Sequence, residues 1–143
     1  MKYDFLKANK NNQFYPLDET VIKEAETDLG ILFPKELREF YQLLGYGFLK
    51  GDSGNINRLM DPLSVRDFRL KQNDFEYFPD IDLYDDLVDE YVFFEVNETV
   101  LFTIKRLGEG NPIFYDEILI ANSLEEFLIQ FSKDDSYYME FVD

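Results

Sequence analysis

The sequence predicts an α+β fold, an antiparallel-rich β-sheet flanked by helices, in a single domain spanning 1–143. Three observations predict it. Residues 22–51 carry two amphipathic helix patterns joined by a tight turn, residues 91–121 change to strand-like alternation, and Ser123 opens a further helix. A chain of this length suits one domain that buries about two-thirds of the surface its unfolded form exposes. Hydrophobic residues make up 45% of it, enough for a core, and 15 Phe with 10 Tyr will dominate the packing.

In chain order, residues 1–16 form a polar leading segment, with a helical turn at 3–8 and a loop at 9–13. Asp18 and Thr20 both offer side chains that can cap the helix that follows. Ile22, Ala25 and Leu29 fall at helical spacing, and Gly30 is the left-handed stop. Pro34 suits the first turn of the next helix, where its missing N–H goes unused. Leu37, Phe40, Tyr41 and Leu44 form the buried stripe of that helix, and Gly45 ends it. After Gly51, residues 52–55 read as a turn and 56–60 as a short strand. Asp61-Pro62 starts a short helix lined by Leu63, Val65, Phe68 and Leu70.

From Tyr91 the character is β. Strands are expected at 91–96 and 99–106, turning at Asn97-Glu98, then at 112–115 and 118–121. Within the second, Val100, Phe102 and Ile104 make a fully apolar face, and Leu101, Thr103 and Lys105 a partly covered one. Ser123 forms a capping box with Glu126, and Leu124, Phe127, Leu128 and Phe131 face the core. The acidic, aromatic tail 134–143 carries no assigned structure. The sheet is thus expected from the C-terminal half, covered by the helices of 22–44 and 123–133.

The stretch around the two joined helices also carries a family pattern. Ile22, Glu26, the Leu29-Gly30 pair, Phe33-Pro34, then Leu37, Phe40 and Tyr41, then Gly45, Gly47 and Gly51 follow an order that resembles the SUKH superfamily. The chain departs from the family's usual Asn-Gly-Gly-like turn, having Gly45-Tyr46-Gly47 instead. The strand at 112–115 and the helix opening at Ser123 also resemble the family, whereas the middle of the chain matches poorly. The motif is mostly structural, so it speaks to fold more than to activity. The resemblance implies a SUKH-like binding module. In bacteria it implies an immunity protein that neutralises a polymorphic toxin, frequently a nuclease. The alternative it implies is a scaffold or regulator of cell-wall or signalling assembly, like the eukaryotic members.

Charge is the extreme value: 14 basic against 30 acidic residues, a net of -16. Such a field opposes direct binding of nucleic acid. It serves solubility, or it attracts a basic partner such as a nuclease domain, which must itself be cationic to hold phosphates. Residues 72–90 are the most acidic stretch and contain no Lys or Arg. Asp80, Asp82, Asp85, Asp86, Asp89 and Glu90, with Tyr84 as an aromatic anchor, are the candidate partner-binding residues. The alternative is a surface connection whose aromatics tuck inward while its carboxylates stay solvated.

No Cys and no His is present, which removes thiol and imidazole catalysis, disulfides and the usual transition-metal ligand sets. Starting at Asp80, a calcium loop fails at its sixth position, Asp85, and its twelfth, Tyr91. Neither Gly45-Tyr46-Gly47 nor Gly108-Glu109-Gly110 has phosphate-loop context. Glu26 reads as a helix carboxylate anchoring a neighbouring loop. A carboxylate-dependent hydrolase is the third reading, although thirty scattered acids single out no pair. No catalytic residue, metal or cofactor is expected. The start has no apolar run of signal-peptide length and no stretch approaches the roughly 18 residues of a membrane span, so a cytoplasmic, membrane-free protein is expected.

Overall fold

The structure is a computed structural model that describes residues 2–142; Met1 and Asp143, the outer ends of the leading segment and of the tail, lie outside the described residues. In chain order the elements are α1 (Asp4–Ala8), β1 (Gln13–Tyr15), α2 (Glu19–Leu29), α3 (Lys35–Leu43), β2 (Tyr46–Leu49) and β3 (Asn57–Leu59). They continue with α4 (Pro62–Leu70), β4 (Glu90–Val96), β5 (Val100–Lys105), β6 (Ile113–Tyr115), β7 (Ile118–Ala121) and α5 (Leu124–Lys133). The strands form one antiparallel sheet in the order β1-β2-β3-β4-β5-β6-β7, each beside its neighbour in sequence. The fold is α+β.

The helix caps explain the local structure. Asp18 accepts from the Thr20 N–H at the start of α2, and Gly30 ends that helix at φ 70°. Pro34 sits one residue outside α3, at φ -49°, rather than in its first turn. Proline has no side-chain acceptor to cap the helix, and Asn111, from the loop between β5 and β6, accepts the Glu36 N–H at 2.8 Å. Asp61 caps α4 with Pro62 as its first residue. In α4 only Pro62, Val65 and Phe68 are buried; Leu63 is half-buried and Leu70 exposed, because the stripe follows the three-residue step. At α5 the Ser123 hydroxyl accepts the Glu126 N–H at 3.0 Å, whereas the Glu126 carboxylate accepts from Asn122 rather than from Ser123.

The sheet corrects the expectation that it comes from the C-terminal half. Three of its strands, β1, β2 and β3, lie in the N-terminal half. β1 and β2 pair so closely that a Cβ on Gly47 would lie 2.0 Å from the Gln13 carbonyl oxygen, and one on Gly45 1.9 Å from that of Tyr15. Gly45 also stands at φ +94°. The two glycines at 45 and 47 are therefore what lets the first strand join the sheet.

Aromatic rings fill the core. Phe94, Phe102 and Phe127 pack at 5.2–5.8 Å between ring centroids, with Phe131 against Phe94 at 5.1 Å. Phe40 of α3 meets Tyr3 at 4.9 Å. The buried Tyr41 donates its hydroxyl to the Met60 carbonyl at 2.7 Å. Leu101 and Thr103 are buried as well as Phe102 and Ile104, so both faces of β5 are covered at its centre. The tail docks too: a 3₁₀ turn Tyr137–Phe141 places Tyr138 against Phe102 at 4.9 Å, and the Tyr137 hydroxyl donates to Ile120.

Candidate partner-binding surface

The acidic stretch begins where α4 ends. Lys71 takes the left-handed conformation at φ 58°, and the Gln72 N–H returns to the Asp67 carbonyl at 2.8 Å, which turns the chain sharply. Two short 3₁₀ turns follow, Asn73–Phe75 and Ile81–Tyr84. Phe75, Phe78 and Tyr84 all pack on the Phe68 ring, with centroids 5.1, 5.4 and 5.2 Å away. This aromatic cluster fixes the stretch to α4.

Two cations from the end of α4 complete the attachment. Arg69 donates to the carbonyls of Tyr84 and Leu87, both at 3.0 Å, so its guanidinium holds a bend that no regular ladder supports. Lys71 pairs with Asp82 at 2.7 Å and Asp85 at 2.9 Å, and those hydrogen bonds push its ammonium pKa up. A count of charges over 72–90 misses Lys71, which lies one residue before that window.

The fold separates the candidate residues into two groups. Asp80, Asp82, Asp85, Asp86 and Asp89 are exposed on the outside of the stretch. Tyr84 and Glu90 do not project from it. Tyr84 is half-buried on Phe68, and burial, followed by the nearby Asp116 carboxylate, raises its phenol pKa. Glu90 is only 9% exposed at the start of β4 and accepts a hydrogen bond from the Thr103 hydroxyl. Sequence spacing does not reveal this, because the pleat of β4 turns Glu90 toward the same face as Thr103.

The apolar side chains that do project are Tyr77, Leu83 and Val88, at 89%, 78% and 74% exposure. Phe75 and Phe78, three residues apart in a 3₁₀-like bend, face inward and leave Tyr77 outside. That spacing is the sequence signal for Tyr77. Projecting apolar groups interspersed in sequence with exposed carboxylates have the composition of a protein contact with an acidic rim.

The family-motif residues lie elsewhere, in the scaffold. Ile22, Leu37, Phe40 and Tyr41 are buried core. Glu26, 5% exposed, accepts the Phe33 N–H at 2.9 Å and pairs with Arg38 at 3.2 Å. Arg38 in turn reaches Glu19 at 2.7 Å. Among the described residues no group of His, Cys, Asp or Glu is arranged to hold a metal ion, and no helix is long and apolar enough to cross a membrane.

Residues 16–130 match the sequence profile of the SMI1 / KNR4 family (SUKH-1). The match runs through the middle of the chain, which the motif alone does not reach. Over 145 aligned residues the chain is 48% identical to a Bacillus subtilis (strain 168) protein named "Immunity protein YxxD", covering 100% of this chain and 99% of that protein. No solved structure matches.

Proposed function

Because the chain belongs to the SMI1 / KNR4 (SUKH-1) family, we propose that it is a non-catalytic immunity protein that neutralises a basic, nuclease-type toxin domain by binding it directly. The observation that carries this reading is the 48% identity, end to end, with a relative named as an immunity protein. Physical chemistry supports the nature of the partner. A net charge of -16 favours encounter with a cationic surface, and nucleases are cationic where they hold phosphates. The acidic stretch, with Tyr77, Leu83 and Val88 projecting among its carboxylates, supplies a contact of that kind. In this reading residues 1–143 act as one binding domain, in the cytoplasm, without a cofactor.

The test looks for a toxin gene adjacent to that of the chain and pairs the two products. Co-expression should restore growth to cells producing that toxin, and the purified proteins should form a stable complex lacking nuclease activity. A toxin left active and unbound in the presence of excess chain would overturn the proposal. Hydrolysis of glycosides, esters or nucleotides by the chain alone, abolished by one carboxylate substitution that leaves the fold intact, would overturn its non-catalytic part.

A further inference from the structure

Apart from the acidic stretch, a cleft of about 450 Å³ opens between α1, the end of β2 and the last turns of α5. Phe5, Leu49, Ile129 and Phe131 supply its apolar lining, and Lys50 and Lys133 line it with exposed side chains. Asn12 ties two of its walls together: its amide donates to the Leu6 carbonyl at 2.9 Å, and its Oδ1 accepts the Lys50 N–H at 2.8 Å. The loop after α1 and the end of β2 therefore keep their spacing without a ligand. A preformed, mostly apolar cleft of this size with a few polar groups falls within the range of small-molecule sites, about 300–1,000 Å³.

Charge gives the sign of the occupant. Acids outnumber bases 30 to 14 in this chain, yet among the described residues no carboxylate lines this cleft. Nor does one line the adjoining cleft of about 340 Å³, which shares Asn9 and Asn12 and adds Lys7 and Lys10. Lys2, Arg38, Arg58, Arg66 and Lys71 all have carboxylate partners, whereas Lys50 and Lys133 have none among the described residues. Asp135 packs against Gly51, but its carboxylate is buried and engaged by Ser53 and Asn57, and that of Asp134 is engaged by Ser136. The cleft thus presents an apolar surface with two ammonium groups and no anionic side chain. The rest of the chain's negative charge is screened beyond about 8 Å at physiological ionic strength, so the lysines decide what the cleft attracts. A large acidic partner would bring its charge against the surrounding acids over a wide area, whereas a small anion meets the two lysines alone.

We propose that this cleft binds a small carboxylate with an apolar body, aryl or short alkyl, its head held by Lys50 and Lys133 and its body against Phe5, Leu49 and Ile129. The site is separate from the acidic stretch, and it stands or falls independently of the immunity reading.

The experiment titrates the ¹⁵N-labelled full chain with 4-phenylbutyrate and, separately, with the uncharged 4-phenylbutanol, following amide shifts. The carboxylate should shift Phe5, Lys50, Ile129 and Lys133 saturably and leave residues 74–89 unmoved, with the alcohol at least about tenfold weaker. Lys50→Gln combined with Lys133→Gln changes only exposed side chains, so the fold should survive. It should weaken the carboxylate at least about tenfold and leave the alcohol response unchanged, a difference that a merely structural role would not produce. Ile129→Trp fills the cleft from α5 and, where it folds, should abolish both responses. Shifts that do not saturate or that scatter over the surface overturn the proposal, as does equal binding of acid and alcohol or an undiminished response in the lysine variant. Saturation by the acidic peptide N-acetyl-Phe-Asp-amide without a response to 4-phenylbutyrate overturns the assignment to a small molecule.

Discussion

The Glu26 carboxylate on α2 accepts the Phe33 N–H seven residues later at 2.9 Å, and the Arg38 side chain of α3 closes on the same carboxylate. One acid thus sets the angle between the first two long helices. Glu26→Ala leaves a buried N–H without an acceptor and Arg38 without its inner partner, and should cost about 2–4 kcal/mol. Glu26→Gln keeps an acceptor for Phe33 and should cost less. Urea denaturation midpoints of the two variants decide it, and an unmoved midpoint for the alanine variant contradicts the role.

Phe40 is fully buried, with Tyr3 and Phe14 both against its ring. Phe40→Ala should cost about 3–5 kcal/mol through lost transfer energy and the cavity left behind. Pro34→Ala should be far milder, because that proline precedes α3 and interrupts none of its bonds. Equal losses in the two variants, measured by thermal or chemical unfolding, would contradict this placement.

Burial pushes the phenol pKa values of Tyr3, Tyr41 and Tyr137 upward. A raised folded-state pKa favours the neutral phenol, so its contribution to stability is complete below the unfolded value of about 10. Above that pH the unfolded chain ionises first, and stability should fall as pH rises toward the folded values. The Tyr3 hydroxyl is buried and has no hydrogen-bond partner among the described residues. Tyr3→Phe should therefore be neutral or stabilising by about 1 kcal/mol, and should make the alkaline decline shallower. Denaturation midpoints between neutral pH and the alkaline range test both parts.

Charge and projecting side chains should act on different steps of binding. Neutralising Asp80, Asp86 and Asp89 together should slow association with the toxin and weaken its salt dependence, since exposed charges are screened over about 8 Å at physiological ionic strength. Tyr77→Ala should act chiefly on dissociation, with a loss of about 1–2 kcal/mol. Tyr84→Ala should lower stability, because that ring packs on Phe68. Surface-binding kinetics at two salt concentrations separate these effects. Association indifferent to salt and to the acid substitutions would mean that these carboxylates serve solubility alone.

What was legible in the sequence is what local chemistry decides. The α2–α3 pair announces itself through Asp18, Gly30 and Pro34, and the β4–β5 hairpin through runs long enough to alternate on either side of Asn97-Glu98. Both turn residues have positive φ, 52° and 65°. β1 and β2 are not legible in the sequence for the opposite reason. Three and four residues are too few to show a period, and Gly47 reads as a breaker although its missing side chain is what admits Gln13. At the surface, the sequence reveals the number of carboxylates but not which neighbours project. That was decided by the fit of Phe75, Phe78 and Tyr84 to a ring on another element, and by Lys71 reaching forward to Asp82.

Strand order equal to chain order has a consequence for synthesis. Each strand emerging from the ribosome finds its partner already made, so the sheet can grow strand by strand, with short closures at β2–β3 and from β4 to β7 and longer ones where β1–β2 spans residues 16–45 and β3–β4 spans residues 60–89. The segment after α5 behaves differently. Asp135 reaches back 78 positions to Asn57 and 82 to Ser53, and Tyr138 seats on Phe102. These contacts cannot form until every strand has been translated. They act as a latch, and a nascent chain halted before it would hold a paired sheet with one face of its aromatic core still open to water.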